Sequence, residues 1–190
     1  MNTTDLRQLP SRPSLEQYRK QAKDFVKACR TGDSESLWQV RKYHPRYHVP
    51  RDHVEAAKLR SGQLLDSVVN TASFTLADAQ LVIARAHGFE SWPKFAKHLE
   101  GLERENFPVA NFERAADAIV TGDRTTLEHL LGEDPELIRV HSARAHRAML
   151  LHYISANGVE RFRQKTPRNI VEIARLLLNA GADVNAVADT

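Results

Sequence analysis

The sequence predicts an all-α protein, a solenoid of stacked helix–turn–helix pairs. Three observations lead there. Glycines recur at a near-constant interval: Gly88 to Gly122 is 34 residues and Gly122 to Gly158 is 36. The chain also matches itself without a gap at a separation of 90 residues, pairing Ala28/Ala118, Thr31/Thr121, Gly32/Gly122, Asp33/Asp123, Leu37/Leu127 and Pro45/Pro135. Finally, the stretches on either side of these glycines carry apolar residues at helical spacing. Helix pairs repeating every ~34 residues are units that cannot cover their own apolar faces alone, so they stack.

Taken in order, residues 1–13 hold Pro10 and Pro13, are polar, and read as an N-terminal arm. Ser14-Leu-Glu-Gln17 has the form of a capping box. Leu15, Tyr18, Ala22, Phe25 and Cys29 then mark one helix face, and Gly32 should end that helix. Asp33 can cap the next helix, which turns Leu37, Val40 and Trp38 inward and closes at Pro45. Gly32 to Gly88 is 56 residues, and the surplus falls in an irregular insert over 44–75. Thr75-Leu-Ala-Asp78 opens a third helix running to Gly88. Ser91-Trp92-Pro93 opens its partner, lined by Trp92, Phe95, Ala96, Leu99 and Leu102. Residues 14–110 are thus read as a degenerate helical-repeat region and 111–190 as a more regular one that is expected to stop partway through a unit.

The most regular part runs from Ala148 to Ala186. Leu150, Leu151, Ile154 and Ser155 share a helical face before Gly158, and Thr166-Pro167 reads as N-cap and first turn of the next helix. Ile170, Val171, Ile173, Ala174, Leu176, Leu177 and Leu178 leave that helix apolar almost all round, so it expects cover on both flanks. Gly181 closes it, and Ala182–Ala186 reads as a short extended tip.

Leu151-His152, Gly158, the Val171–Leu178 run and Gly181-Ala182-Asp183-Val184-Asn185-Ala186 together resemble an ankyrin repeat. Met149-Leu150 stands where that family usually has Thr-Pro, and about ten residues are added between Gly158 and Val171 relative to a unit of about 33. Tetratricopeptide units share the length, but the GADVNA tip is the ankyrin one. The run AQLVIARAHGFESWPKF resembles the segment before ankyrin repeats in many bacterial proteins, which implies a bacterial source. The resemblance implies a non-catalytic scaffold for protein–protein interaction, with contacts from Ala145, His146, Ala148, Ala156 and Asn157. It also implies that His152 hydrogen-bonds neighbouring loops.

Composition narrows the class. Apolar residues at 42% and charged residues at 27% are ordinary for a globular domain. A single cysteine allows no internal disulfide, and no apolar run approaches the ~18 residues of a membrane span. The polar start carries no secretory signal, so the cytoplasm is expected. The charge of +3 is uneven: residues 1–60 hold 13 Lys/Arg against 7 Asp/Glu. A nucleic-acid or anion-binding module in that basic half is the alternative function. No membrane partner is expected. The uncapped C-terminal helix face suggests self-association.

Chemistry has little motif support. Cys29 sits on a core face, where a thiol is inert. His44, His48 and His53, with Asp52, could hold zinc in a metal hydrolase, a weaker alternative, but Pro45 and Pro50 prevent one helix face from presenting them. His141, His146 and His152 form a second group. No phosphate loop or dinucleotide fingerprint is present, so neither a cofactor nor a metal is expected. Arg41–His48, with Arg51, interleaves bases and aromatics as a single-strand groove does. The insert Val159–Arg168 places Arg161, Arg163, Lys165 and Arg168 around Phe162. With Tyr153, Arg161, Phe162, Arg163 and Lys165 complete the expected partner-binding set.

Overall fold

The computed structural model describes residues 6–10, 13–47, 73–102, 108–155 and 160–189. Among them are seven α-helices and no strand. The helices are α1 (Leu15–Arg30), α2 (Ser34–Tyr43), α3 (Leu76–Ala86), α4 (Trp92–Leu102), α5 (Pro108–Thr121), α6 (Arg124–Glu133) and α7 (Ile170–Asn179). Short 3-10 helices cover Pro45–Tyr47, Pro135–Arg139, Leu150–Ile154 and Arg161–Arg163. No described helix is long and apolar enough to cross a membrane.

The local rules that end one helix and begin the next operate repeatedly. At Gly32, Gly88, Gly122 and Gly181 φ lies between +77° and +91°, a region that costs L-residues energy and glycine nothing. Each glycine N–H bonds the carbonyl three residues back, to Cys29, Arg85, Ile119 and Leu178. Each following N–H bonds the carbonyl five back, from Asp33 to Ala28, Phe89 to Ala84, Asp123 to Ala118 and Ala182 to Leu177. This double closure satisfies the orphan carbonyls of the last turn. Asp33 and Asp123 then cap α2 and α6, accepting from the N–H of Ser36 and Thr126. Thr75 and Asp78 form a reciprocal capping box at α3.

Two apolar cores result. The first gathers Tyr18, Ala22, Leu37, Val40, Val82, Phe95 and Leu99 from α1–α4, with Cys29 fully buried among them. The second gathers Phe112, Ile119, Leu127, Leu137, Leu150, Tyr153, Ile173 and Leu177 from α5–α7 and the segments between. Packing follows chain order: α1 and α2 on α3, α4 on α5, α5 on the Leu150–Ile154 turn, and that turn on α7. Two hydrogen bonds tie later segments to these turns, one from a backbone N–H and one from a side-chain amide. Gly88 O accepts from Ala145 N–H at 2.8 Å, and Gly122 O accepts from Asn169 Nδ2 at 2.9 Å.

Several expectations need correcting. Leu6 of the arm is buried; Arg7 N–H bonds Ala86 O, and His87 Nδ1 donates to Arg7 O at 2.9 Å. Ser14 makes no side-chain cap bond. Trp38 faces outward at 48% exposure, because Leu37 and Val40 already fill the inner stripe of α2. The segment before Gly158 forms a 3-10 turn instead of an α-helix, and Gly158 itself lies outside the described residues. Helix α7 begins at Ile170 with Asn169 at its N-cap, three residues beyond Thr166. Its inner stripe is Ile173 and Leu177, while Val171 and Leu178 are exposed. The tip is a turn instead of an extended segment: Asn185 N–H bonds the Asp183 carboxylate and Ala186 N–H bonds Asp183 O.

Candidate functional site: a buried charge network beneath a cleft

Helix periodicity places Glu113 and Asp117 of α5 one turn apart on the same face. Opposite them, the loop 142–148 folds back on itself through a Ser142 N–H bond to Ala148 O, with Arg147 at φ +47°. That loop turns Arg144 inward, where it is 3% exposed. The third contribution is Glu160 and Arg163, joined across the short Arg161–Arg163 turn.

Arg163 donates from Nη1 to Glu160 Oε2, from Nη2 to Glu113 Oε2 and from Nε to Asp117 Oδ1, each at 2.8 Å. Arg144 Nη1 bonds Glu113 Oε1 and lies 3.4 Å from Glu160 Oε1. Glu160 Oε1 also accepts from Tyr153 OH and His146 Nε2, both at 2.8 Å. His146 Nδ1 accepts the Ala148 N–H at 3.0 Å, so its proton is on Nε2. Both carboxylate oxygens of Glu160 therefore face donors.

Burial alone would push the Glu160 carboxyl up, but Arg144, the His146 bond and Arg163 overcome it and hold the group far below the carboxylate range. Glu113 is depressed against its burial by Arg144 and Arg163. Both guanidinium groups shift upward despite their own desolvation, because Glu113 and Glu160 face them. Burial, reinforced by Glu160, pushes the Tyr153 hydroxyl up. His98 sits beside this network, its Nε2 4.0 Å from Glu113 Oε1 and neither ring nitrogen hydrogen-bonded. Burial lowers it to about 4.

Aromatic rings and guanidinium groups alternate through the same region. Arg144 lies 5.8 Å from the Phe89 centroid and 5.8 Å from that of Phe162, and Arg163 lies 5.4 Å from Phe162 and 5.6 Å from Tyr153. Glu113, Asp117, Arg144 and Arg163 also line a cleft of 770 Å³, together with Leu9, Pro10, Leu102, Ala110, Arg114 and Phe162. No known protein family, curated protein or solved structure matches the chain.

The expected partner-facing residues divide sharply. Arg161 and Lys165 are exposed, and Phe162 and Ala145 are half-buried. His146, Ala148, Tyr153 and Arg163 are buried at 0–5% exposure and are interior residues, because the network and the second core enclose them. Ala156 and Asn157 lie outside the described residues. His152 Nδ1 accepts the Met149 N–H at 3.2 Å, so a backbone donor reaches it despite the missing threonine. His44 is buried and bonds Asp78 Oδ1 at 3.1 Å; His48 and His53 lie outside the described residues. Among the described residues no group of three His, Cys, Asp or Glu is arranged to hold a metal ion. In the Arg41–His48 stretch, Tyr43, His44 and Tyr47 are buried, so their rings serve the core and not a groove.

Sequence reasoning found Arg163 and missed Glu113, Asp117, Arg144 and Glu160. The i,i+4 pair Glu113/Asp117 and the i,i+3 pair Glu160/Arg163 were the available signals. Arg144 gave none, since its loop has no period.

Proposed function

We propose that this chain is an ankyrin-like solenoid of helical hairpins, bacterial and cytoplasmic, that holds a protein partner and performs no chemistry of its own. The observation that supports the reading is the closure at Gly32, Gly88 and Gly122, in which the same two backbone bonds end the first helix of three successive hairpins. Hairpins that turn alike and pack in chain order form a wall of side chains suited to macromolecular recognition. The partner meets Phe162 at the cleft and the exposed Arg161 and Lys165 on the same segment, and the ring framed by the guanidinium groups of Arg144 and Arg163 supplies an anchor. Glu160 supports the non-catalytic part. A carboxylate held far below neutral pH by Arg144 and Arg163 is a poor general base.

Affinity capture from native cytoplasm tests the reading, comparing the wild-type chain with Phe162→Ala/Arg161→Ala. A protein retained by the first, lost with the second and unaffected by nuclease is the expected result. Identical captured sets, with both proteins folded, would remove the proposed surface.

A further inference from the structure

Helix α1 carries a second surface that the cleft does not involve. Its inner stripe is Leu15, Tyr18, Ala22, Val26 and Cys29, all buried. At 100° per residue Arg19, Lys20, Lys23, Lys27 and Arg30, all exposed, lie on a flank of the helix about 110° round from that stripe. These five cations fall within a sector of about 100° and run for about 16 Å along the helix. Glu16 lies at one end of the stripe, and Asp24 stands to its side, 3.7 Å from Lys27. Among the described residues Arg19, Lys20 and Lys23 make no ion pair, so three of the five charges are uncompensated there. Arg46, beyond α2, is also exposed and adds to the same basic hairpin.

We infer that the outward face of α1 binds the phosphodiester backbone of nucleic acid. A row of flexible cations at steps of about 1.5–6 Å along the helix sets a dense line of positive charge against a ligand that carries one negative charge per ~3.4 Å of each strand. A membrane surface fits less well, because no exposed residue of α1 is apolar and an interfacial helix needs a face to insert. The exposed Trp38 ring on α2, with Lys42 Nζ 4.5 Å from its centroid, belongs to the same hairpin and offers an aromatic face of the kind single strands stack on. Arg41–His48 is not the groove that its composition suggested, since its aromatic rings are in the core.

The experiment measures fluorescence anisotropy of labelled single-stranded and duplex oligonucleotides against the full chain over a salt series. Lys20→Gln/Lys23→Gln/Lys27→Gln is run in parallel, and circular dichroism checks its helicity. The inference expects affinity to fall with a log–log salt slope of about −2 to −4. It expects the triple variant to bind about tenfold more weakly or worse at low salt, with the slope reduced. Binding to either oligonucleotide form supports it, and a preference for single strands that Trp38→Ala removes assigns the stacking role. Equal binding by wild type and triple variant, a flat salt dependence, or binding to anionic vesicles but to neither oligonucleotide would overturn it. The cleft variant Phe162→Ala/Arg161→Ala serves as a control that leaves α1 intact, so the two readings fail separately.

Discussion

Arg163 and Glu160, three residues apart on a single 3-10 turn, are joined Nη1 to Oε2 at 2.8 Å, with neither side chain more than 5% exposed. The pair does not close on itself. Its second donor nitrogen reaches Glu113 and its Nε reaches Asp117, both on α5, 46–50 residues earlier. The added residues between the Leu150–Ile154 turn and α7 are therefore fastened to the preceding hairpin by charge.

Removing one member of such a network leaves the others buried without compensation. Arg163→Ala should destabilise the protein by about 3–5 kcal/mol, because Glu160 and Glu113 each lose one of their two guanidinium partners. Urea denaturation at pH 7 measures it. Glu160→Gln should cost less, since the amide oxygen still accepts from Tyr153 or His146. Equal losses for the two variants would mean that charge balance is not what holds the segment.

Two buried histidines make stability depend on pH. His87 and His98 are both lowered by burial from 6.5 to about 4. Between those values the unfolded chain binds protons that the native chain refuses. Stability is then full above pH 6.5, falls by about 1.4 kcal/mol per pH unit for each histidine as pH drops toward 4, and levels off below. The depressed carboxyls of Glu113 and Glu160 add a further loss below about pH 4.3, where the unfolded carboxyls protonate first. His98 makes no hydrogen bond through either nitrogen, so His98→Leu should flatten the pH 6.5–4 slope by one proton without lowering stability at pH 7. An unchanged slope in urea midpoints across that range would show that His98 is protonated in the native state.

How far the sequence could be read follows from which forces are local. The left-handed glycines, the Asp33 and Asp123 caps and the Thr75–Asp78 box were legible because each rests on residues within a few positions of one another. The face of α1 was legible because helical spacing determines which side of the helix meets α3. Trp38 was misplaced for a related reason: a large apolar side chain signals burial, but the stripe of a short helix has room for only one set of neighbours. The network under the cleft was the least legible part. Arg144, Glu113 and Glu160 meet only after two non-periodic loops have closed, and no spacing along the chain encodes that encounter.

Cys29 offers a probe of the first core. It is fully buried, and burial, with Asp33 nearby, pushes the thiol up to about 12. Modification by a disulfide reagent at pH 8 should be about a thousandfold slower than for a free thiol of pKa ~8.5 and limited by opening of α1 from α3. Labelling should accelerate in urea in step with the loss of helicity. Rapid labelling in native buffer would place the thiol at the surface.

The turn glycines separate what a hairpin needs from what its neighbour needs. Gly32, Gly88 and Gly122 share the same φ region, so alanine at any of them incurs the left-handed penalty of about 1–2 kcal/mol. They differ in what an added Cβ would meet. At Gly32 nothing lies within 4 Å, and at Gly88 the tip of the flexible Leu6 side chain is 2.9 Å away. At Gly122 the Cβ would come within 2.5 Å of Asn169 Oδ1 and 2.9 Å of Pro167 Cβ. Asn169 is also the residue whose Nδ2 bonds Gly122 O and which caps α7. Displacing it should add about 1 kcal/mol for the lost hydrogen bond, besides the cost of shifting the start of the helix. The expected order of destabilisation in urea midpoints is Gly32→Ala, then Gly88→Ala, then Gly122→Ala. Gly122→Ala should also loosen α7 selectively, visible as faster amide exchange at Ile173 and Leu177 than in α1. If all three cost the same, the turns would be closing their own hairpins only, and the contact between successive units would have to be carried by side chains alone.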